Sequence, residues 1–146
     1  MALALLALGV AGCGSGGSIG TPTVPLTPGA QVVERSRRCD TGHNVFCGLY
    51  EVVVDGSYGG PRALMSAERR LLRSKHWSVG QGDIGQEQSA VSPDRKYRLI
   101  YAAADGELRA IDEGWVERPS AVSLALARAM FEGTAALEVT VAAGPS

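Results

Sequence analysis

The sequence lacks both a net basic charge and an apolar run long enough to cross a membrane. Fourteen Lys and Arg residues face fifteen Asp and Glu residues. Residues 39–146 alone carry 11 basic and 14 acidic side chains, a formal charge of −3. A nucleic-acid-binding domain presents a strongly basic surface, so we expect no nucleic-acid partner. The apolar run over residues 2–10 is too short for a transmembrane helix, which needs ~20 residues.

The sequence also lacks the motifs that identify common enzymes. It contains no Ser/His/Asp set, no phosphate-binding loop and no dinucleotide fingerprint. Its only histidines are His43 and His76. Cys39, His43 and Cys47 could act together as metal ligands, but a structural zinc site normally takes four protein ligands. We therefore predict no cofactor, no metal site and no catalytic residue.

The apolar run is followed by a recognisable motif. Residues 2–10 have the length of a signal-peptide apolar region, and the small residues Ala11 and Gly12 come next. The segment Val10-Ala11-Gly12-Cys13 resembles the lipobox of bacterial lipoprotein precursors. The resemblance implies that residues 1–12 are a signal peptide and that the sulfur of Cys13 receives a diacylglyceryl group. Cys13 would then begin the mature chain.

The same resemblance implies where the protein lies. A lipid on Cys13 would anchor it in the cell membrane on the extracytoplasmic side. Because Gly14 rather than Asp follows the cysteine, the protein would reach the outer membrane if the source has one. The membrane is thus the first expected partner, and an envelope protein or polymer is the second.

The composition then changes twice along the chain. Residues 14–38 are rich in Gly, Ser and Pro and hold few apolar side chains. Together with the lipidated Cys13, they are predicted to form a flexible tether over residues 13–38. Residues 39–146 are long enough for one core and are predicted to form a single α+β domain.

The remaining cysteines form an even pair. If lipid occupies Cys13, then Cys39 and Cys47 are left, and the compartment beyond the membrane is oxidising. We therefore expect a disulfide between them. Metal binding together with His43, or a catalytic thiol, remains the alternative for this loop.

The apolar patterns predict five main elements. Strands are expected over residues 49–54, 97–103 and 136–141, and helices from Pro61 to about Lys75 and from Ser120 to Gly133. Asp105-Gly106 predicts a hairpin that returns over residues 107–111. Residues 77–79 would add an edge strand before a glycine-rich loop. The order matches a ferredoxin-like βαββαβ fold, a small two-layer sandwich with both helices on one face of an antiparallel sheet.

Candidate contacts for a ligand are few. Trp77, Trp115 and Arg118 are the possible binding residues, although tryptophans more often pack in a core. The basic run at residues 69–76 could touch anionic lipid or polymer, yet such a run is usually a solvated face. We therefore predict a binding or scaffolding module of the cell envelope. The alternative is a small envelope enzyme or ligand sensor with a pocket near Trp115.

Overall fold

The computed structural model describes residues 23–39, 47–80, 87–104 and 118–144. These residues contain a six-stranded sheet in which all neighbouring strands pair antiparallel. The strand order is β1-β2-β6-β5-β4-β3. The α+β class and the antiparallel sheet are thus confirmed. The elements are β1 (Gln31–Cys39), β2 (Cys47–Asp55), α1 (Pro61–Ser74), β3 (Ser78–Val79), β4 (Glu87–Val91), β5 (Tyr97–Ala103), α2 (Ser120–Phe131) and β6 (Ala135–Ala143).

Both predicted helices form for the expected reasons. Pro61 opens α1, where a missing backbone N–H costs nothing. Leu64 and Leu72 lie on the buried side of α1. Val122 and Leu126 lie on the buried side of α2. Each helix therefore buries one apolar stripe against the sheet.

The two helices pack on opposite faces of the sheet. The α1-side cluster contains α1 residues and the β6 residues Leu137, Val139 and Val141. The α2-side cluster contains α2 residues and Ala136, whose side chain points the other way along β6. The expected two-layer sandwich with both helices on one face is therefore wrong. Ala136 and Thr140, on the α2 side of β6, are buried as well, so the sheet is covered on both faces and the domain has three layers.

The ferredoxin-like order is not found either, because two strands lie where none was expected. β1 precedes the predicted first strand, and β4 forms within the predicted loop. β5 pairs with β4 on one edge and with β6 on the other. The predicted hairpin partner was residues 107–111. That stretch and Asp105-Gly106 lie outside the described residues.

Residues 23–30, here called the N-terminal strap, pack on the α1 side of the sheet. Val24 and Leu26 contact the α1-side cluster. Thr27 donates its backbone N–H and its hydroxyl to Oε1 of Glu68, each at 2.8 Å. The tether predicted over residues 13–38 is therefore too long. Its last part is a docked strap and an edge strand, both of which bury little apolar surface and so resemble a linker in sequence.

Candidate functional site

A groove runs between helix α2 and edge strand β1. Its volume is about 490 Å³. Val33, Val54, Leu124 and three alanines of α2 form its apolar wall, and Glu34 and Arg128 contribute charged groups. We call this feature the α2–β1 groove. It combines an apolar lining with a few polar groups, which is typical of binding clefts of 300–1,000 Å³.

Two large exposed apolar side chains, Val33 and Leu124, line this groove, and a third, Phe131, lies on α2 outside the lining. Leu124 and Phe131 are 72% and 94% exposed and lie seven residues apart, on the same side of α2. Val33 is 50% exposed and sits where the β1–β2 register shifts between Val32 and Glu34. Such a bulge turns a side chain away from its regular direction. The groove thus carries apolar surface that the domain itself does not cover.

Arg118, a predicted ligand contact, lies within the domain instead. Its side chain is 9% exposed and forms an ion pair with Glu138, whose side chain is 2% exposed. Glu138 projects on the α2 side of β6, between its cross-strand neighbours Val52 and Ala102. The charge of Arg118 is therefore directed at a buried carboxylate and not at the groove.

Trp77, the other predicted binding residue that the structure describes, does not line the groove. Trp77 follows α1, donates its backbone N–H to the carbonyl of Leu72 at 3.0 Å and packs against the α1-side cluster. It is thus on the opposite face from the groove. Trp115, Cys13 and His43 lie outside the described residues.

The predicted disulfide is confirmed. Cys39 and Cys47 face each other at the ends of β1 and β2, and their sulfurs are bonded. A bonded pair leaves neither thiolate for metal binding or nucleophilic attack. The described residues include no group of three or more His, Cys, Asp or Glu side chains that could hold a metal ion. None of the helices in these ranges has the length and apolar character needed to span a membrane.

Buried polar groups lie beneath α1, where the sequence indicated only apolar packing. Gln88 and Tyr101 are cross-strand neighbours, and each is 2% exposed. Neither side chain has a hydrogen-bond partner among the described residues. Burial raises the pKa of Tyr101 to about 12. The Tyr101 hydroxyl is therefore protonated at neutral pH and cannot act as a nucleophile there.

Glu68 makes the stability of the fold depend on pH. Burial raises its pKa above 4.5, with the nearby Asp55 acting in the same direction against the two Thr27 hydrogen bonds. The folded state therefore holds this proton more tightly than the unfolded state, and stability falls as pH rises from about 4.5 through the folded pKa. We expect Glu68→Gln to remove this loss, since the amide oxygen still accepts from Thr27. The melting temperature of the variant, relative to that of the wild type, should rise as the pH is increased from 4 to 7.

The matched control is Glu132→Gln, which removes a carboxylate that is half exposed. Its melting temperature should follow the wild-type curve across the same pH range. A constant difference between Glu68→Gln and the wild type from pH 4 to 7 would contradict the assigned role of Glu68.

The α2–β1 groove was not among the predicted sites. The signal for it was present, because Leu124 and Phe131 lie off the buried stripe of α2 yet are strongly apolar. The geometry of the domain therefore favours a binding surface at this groove. Comparisons with protein-family models, with curated proteins and with solved structures gave no match for this chain.

Proposed function

We propose that this protein is a lipid-anchored component of the cell envelope whose domain binds a partner through the α2–β1 groove. The groove carries the proposal, since its apolar wall and the exposed Val33 and Leu124 have no cover among the described residues. The lipobox-like segment ending at Cys13 supports the anchored location. A binding or scaffolding role fits these features better than catalysis.

The occupant that best fits the groove is an extended polypeptide segment with apolar side chains on one side. β1 pairs only with β2 among the described strands, so its outer edge can offer backbone hydrogen bonds to such a segment. The groove beside it has room for a few side chains but not for a folded domain. We therefore expect a partner from the envelope that contributes a strand-like segment.

Replacing Cys13 with Ala is expected to abolish membrane attachment. A diacylglyceryl group supplies two hydrocarbon chains, which hold a protein stably where one chain is marginal. Partitioning between detergent and aqueous phases should show the wild type in the detergent phase and the variant in the aqueous phase or unprocessed. Ser15→Ala, which keeps the thiol, is the control and should partition as the wild type does. Equal detergent partitioning of Cys13→Ala would refute the anchor.

Replacing Leu124 with Asp is expected to release the bound partner without unfolding the domain. The side chain is 72% exposed, so its loss should change stability by no more than about 0.5 kcal/mol. Crosslinking in intact cells, followed by mass spectrometry of the crosslinked peptides, measures the effect. We expect several-fold fewer crosslinks to β1 and α2, and the lost peptides should carry apolar residues at alternate positions.

The matched control is Ala127→Asp, which places the same charge on an exposed position of α2 outside the groove. It should leave the crosslinks unchanged. Equal crosslink yields from the wild type and Leu124→Asp, with both proteins folded, would rule out the groove as the binding site.

A further inference from the structure

We infer that the α1 side of the domain lies against the anionic headgroups of the membrane that holds it. This inference rests on the proposed lipid anchor. It adds an orientation and a second, electrostatic contact with the bilayer. Two observations carry it, the charge of helix α1 and the path of the N-terminal strap.

The exposed surface of α1 and its C-cap is positively charged. Arg70, Arg73 and Lys75 are all exposed, and no ion pair links them to another described residue. The acidic residue of α1 is Glu68, which is buried beneath the strap. By contrast, Arg128 on α2 is paired with Glu132 at 2.8 Å. Helix α1 therefore presents unneutralised positive charge.

The N-terminal strap, which follows the proposed anchor in the chain, lies on this same side. Val24 and Leu26 pack on the α1-side cluster, and Thr27 is hydrogen-bonded to Glu68 of α1. The chain from Cys13 to Thr23 is short enough to extend at most ~35 Å. An anchored domain is thus held close to the bilayer by its α1 side.

The opposite side lies beyond the range of the headgroup charge. The helices are on opposite faces of the sheet. At about 10 Å for each layer spacing, the helices are roughly 20 Å apart. The screening length is ≈ 8 Å at physiological ionic strength, so the attraction acts on α1 and hardly on α2. Each basic side chain near an anionic surface raises membrane affinity about fivefold. In this orientation the α2–β1 groove faces away from the lipid.

The test measures how well the membrane shields one amine on each side. Lys75 lies at the C-cap of α1, and Arg128→Lys places a second amine on the exposed surface of α2. The full-length lipidated Arg128→Lys protein is inserted into phosphatidylcholine vesicles with or without phosphatidylglycerol. Amine acetylation is then read by mass spectrometry after flotation. We expect Lys75 to react several-fold more slowly than the α2 amine only on the phosphatidylglycerol vesicles, and high salt to abolish the difference.

Two variants distinguish an effect of the charges on α1 from an effect of the protein's total charge. In the Arg128→Lys background, Arg73→Gln removes one of the α1 charges and should weaken the slowing at Lys75 while the protein still floats with the vesicles. The control, Arg98→Gln with Arg128→Lys, removes an exposed charge from the α2 side. Acetylation of Lys75 should remain slow in this control. If Lys75 were acetylated as fast in the control as in the α1 variant, the inference would be overturned, because the position of the removed charge would then not matter.

The remaining outcomes are equally decisive. A protein that floats but shows equal amine rates on both kinds of vesicle overturns the inference and leaves the anchor standing. A protein that does not float refutes the anchor, and the inference falls with it. Shielding of Lys75 in intact cells but not on vesicles would also overturn it, because the α1 side would then be covered by an envelope polymer and not by lipid.

Discussion

Replacing Arg118 with Leu is expected to lower the free energy of unfolding by about 3–5 kcal/mol. Removing the guanidinium leaves the Glu138 carboxylate buried, with its side chain 2% exposed and its ion pair lost. Such a carboxylate has lost most of its hydration and also the Arg118 guanidinium that offset this cost. Urea unfolding at neutral pH measures the change.

The matched control is Arg128→Leu, which breaks an exposed i,i+4 pair with Glu132. It should change the free energy of unfolding very little, because solvent screens an exposed ion pair. Replacing Arg118 and Glu138 together with Leu should restore much of the lost stability, because no isolated charge remains. If Arg118→Leu costs no more than Arg128→Leu, the Arg118–Glu138 pair is not a buried structural contact.

Removing the disulfide with Cys39→Ser and Cys47→Ser is expected to destabilise the domain by roughly 2.5 kcal/mol. The bond joins residues eight positions apart, and closing a loop of this size restricts the unfolded chain by about that free energy. The melting temperature should fall by about 10 °C. Thermal unfolding of the double variant, compared with the oxidised wild type, tests the expectation.

The oxidation state supplies the control for this measurement. Reduction should lower the melting temperature of the wild type to that of the double variant and leave the double variant unchanged. Alkylation of both Cys39 and Cys47 in natively purified, unreduced protein would show that the bond is absent.

The elements with strong local patterns were predictable from the sequence. β2, β5, β6 and both helices carry clear apolar periodicity, and each formed near its expected bounds. The disulfide was predictable too, by a separate line of reasoning from cysteine parity and an oxidising compartment. Local sequence therefore specified most of the elements that build the sheet.

The layering differs from the predicted one because β2 and β6 are buried on both faces of the sheet. Val52 and Val53 are successive residues of β2, and each is fully buried on a different side of the sheet. Such a run is typical of a strand that is covered on both faces. In β6, the alternate residues Ala136 and Thr140 are small or polar, and they concealed the second buried face.

Two strands were missed because they look polar in sequence. β1 contains one acidic and three basic residues and lies at the edge of the sheet, where charge is common. In β4 one of the two buried positions is taken by Gln88, which weakens the apolar alternation. The α2–β1 groove depends on β1, so it could not be located while residues 31–38 were assigned to a tether.

The position of β6 determines when the protein can fold. This strand is the last of those described along the chain, yet it lies between β2 and β5 and joins the two halves of the sheet. Hairpins β1–β2 and β4–β5 can form early, because their residues are close in sequence. The two hairpins join only when β6 pairs with both, through contacts between residues as far apart in sequence as Val52 and Glu138. A chain exported from its N-terminus would therefore remain open until its final strand had emerged. Its exposed strand edges would need protection from aggregation throughout that interval.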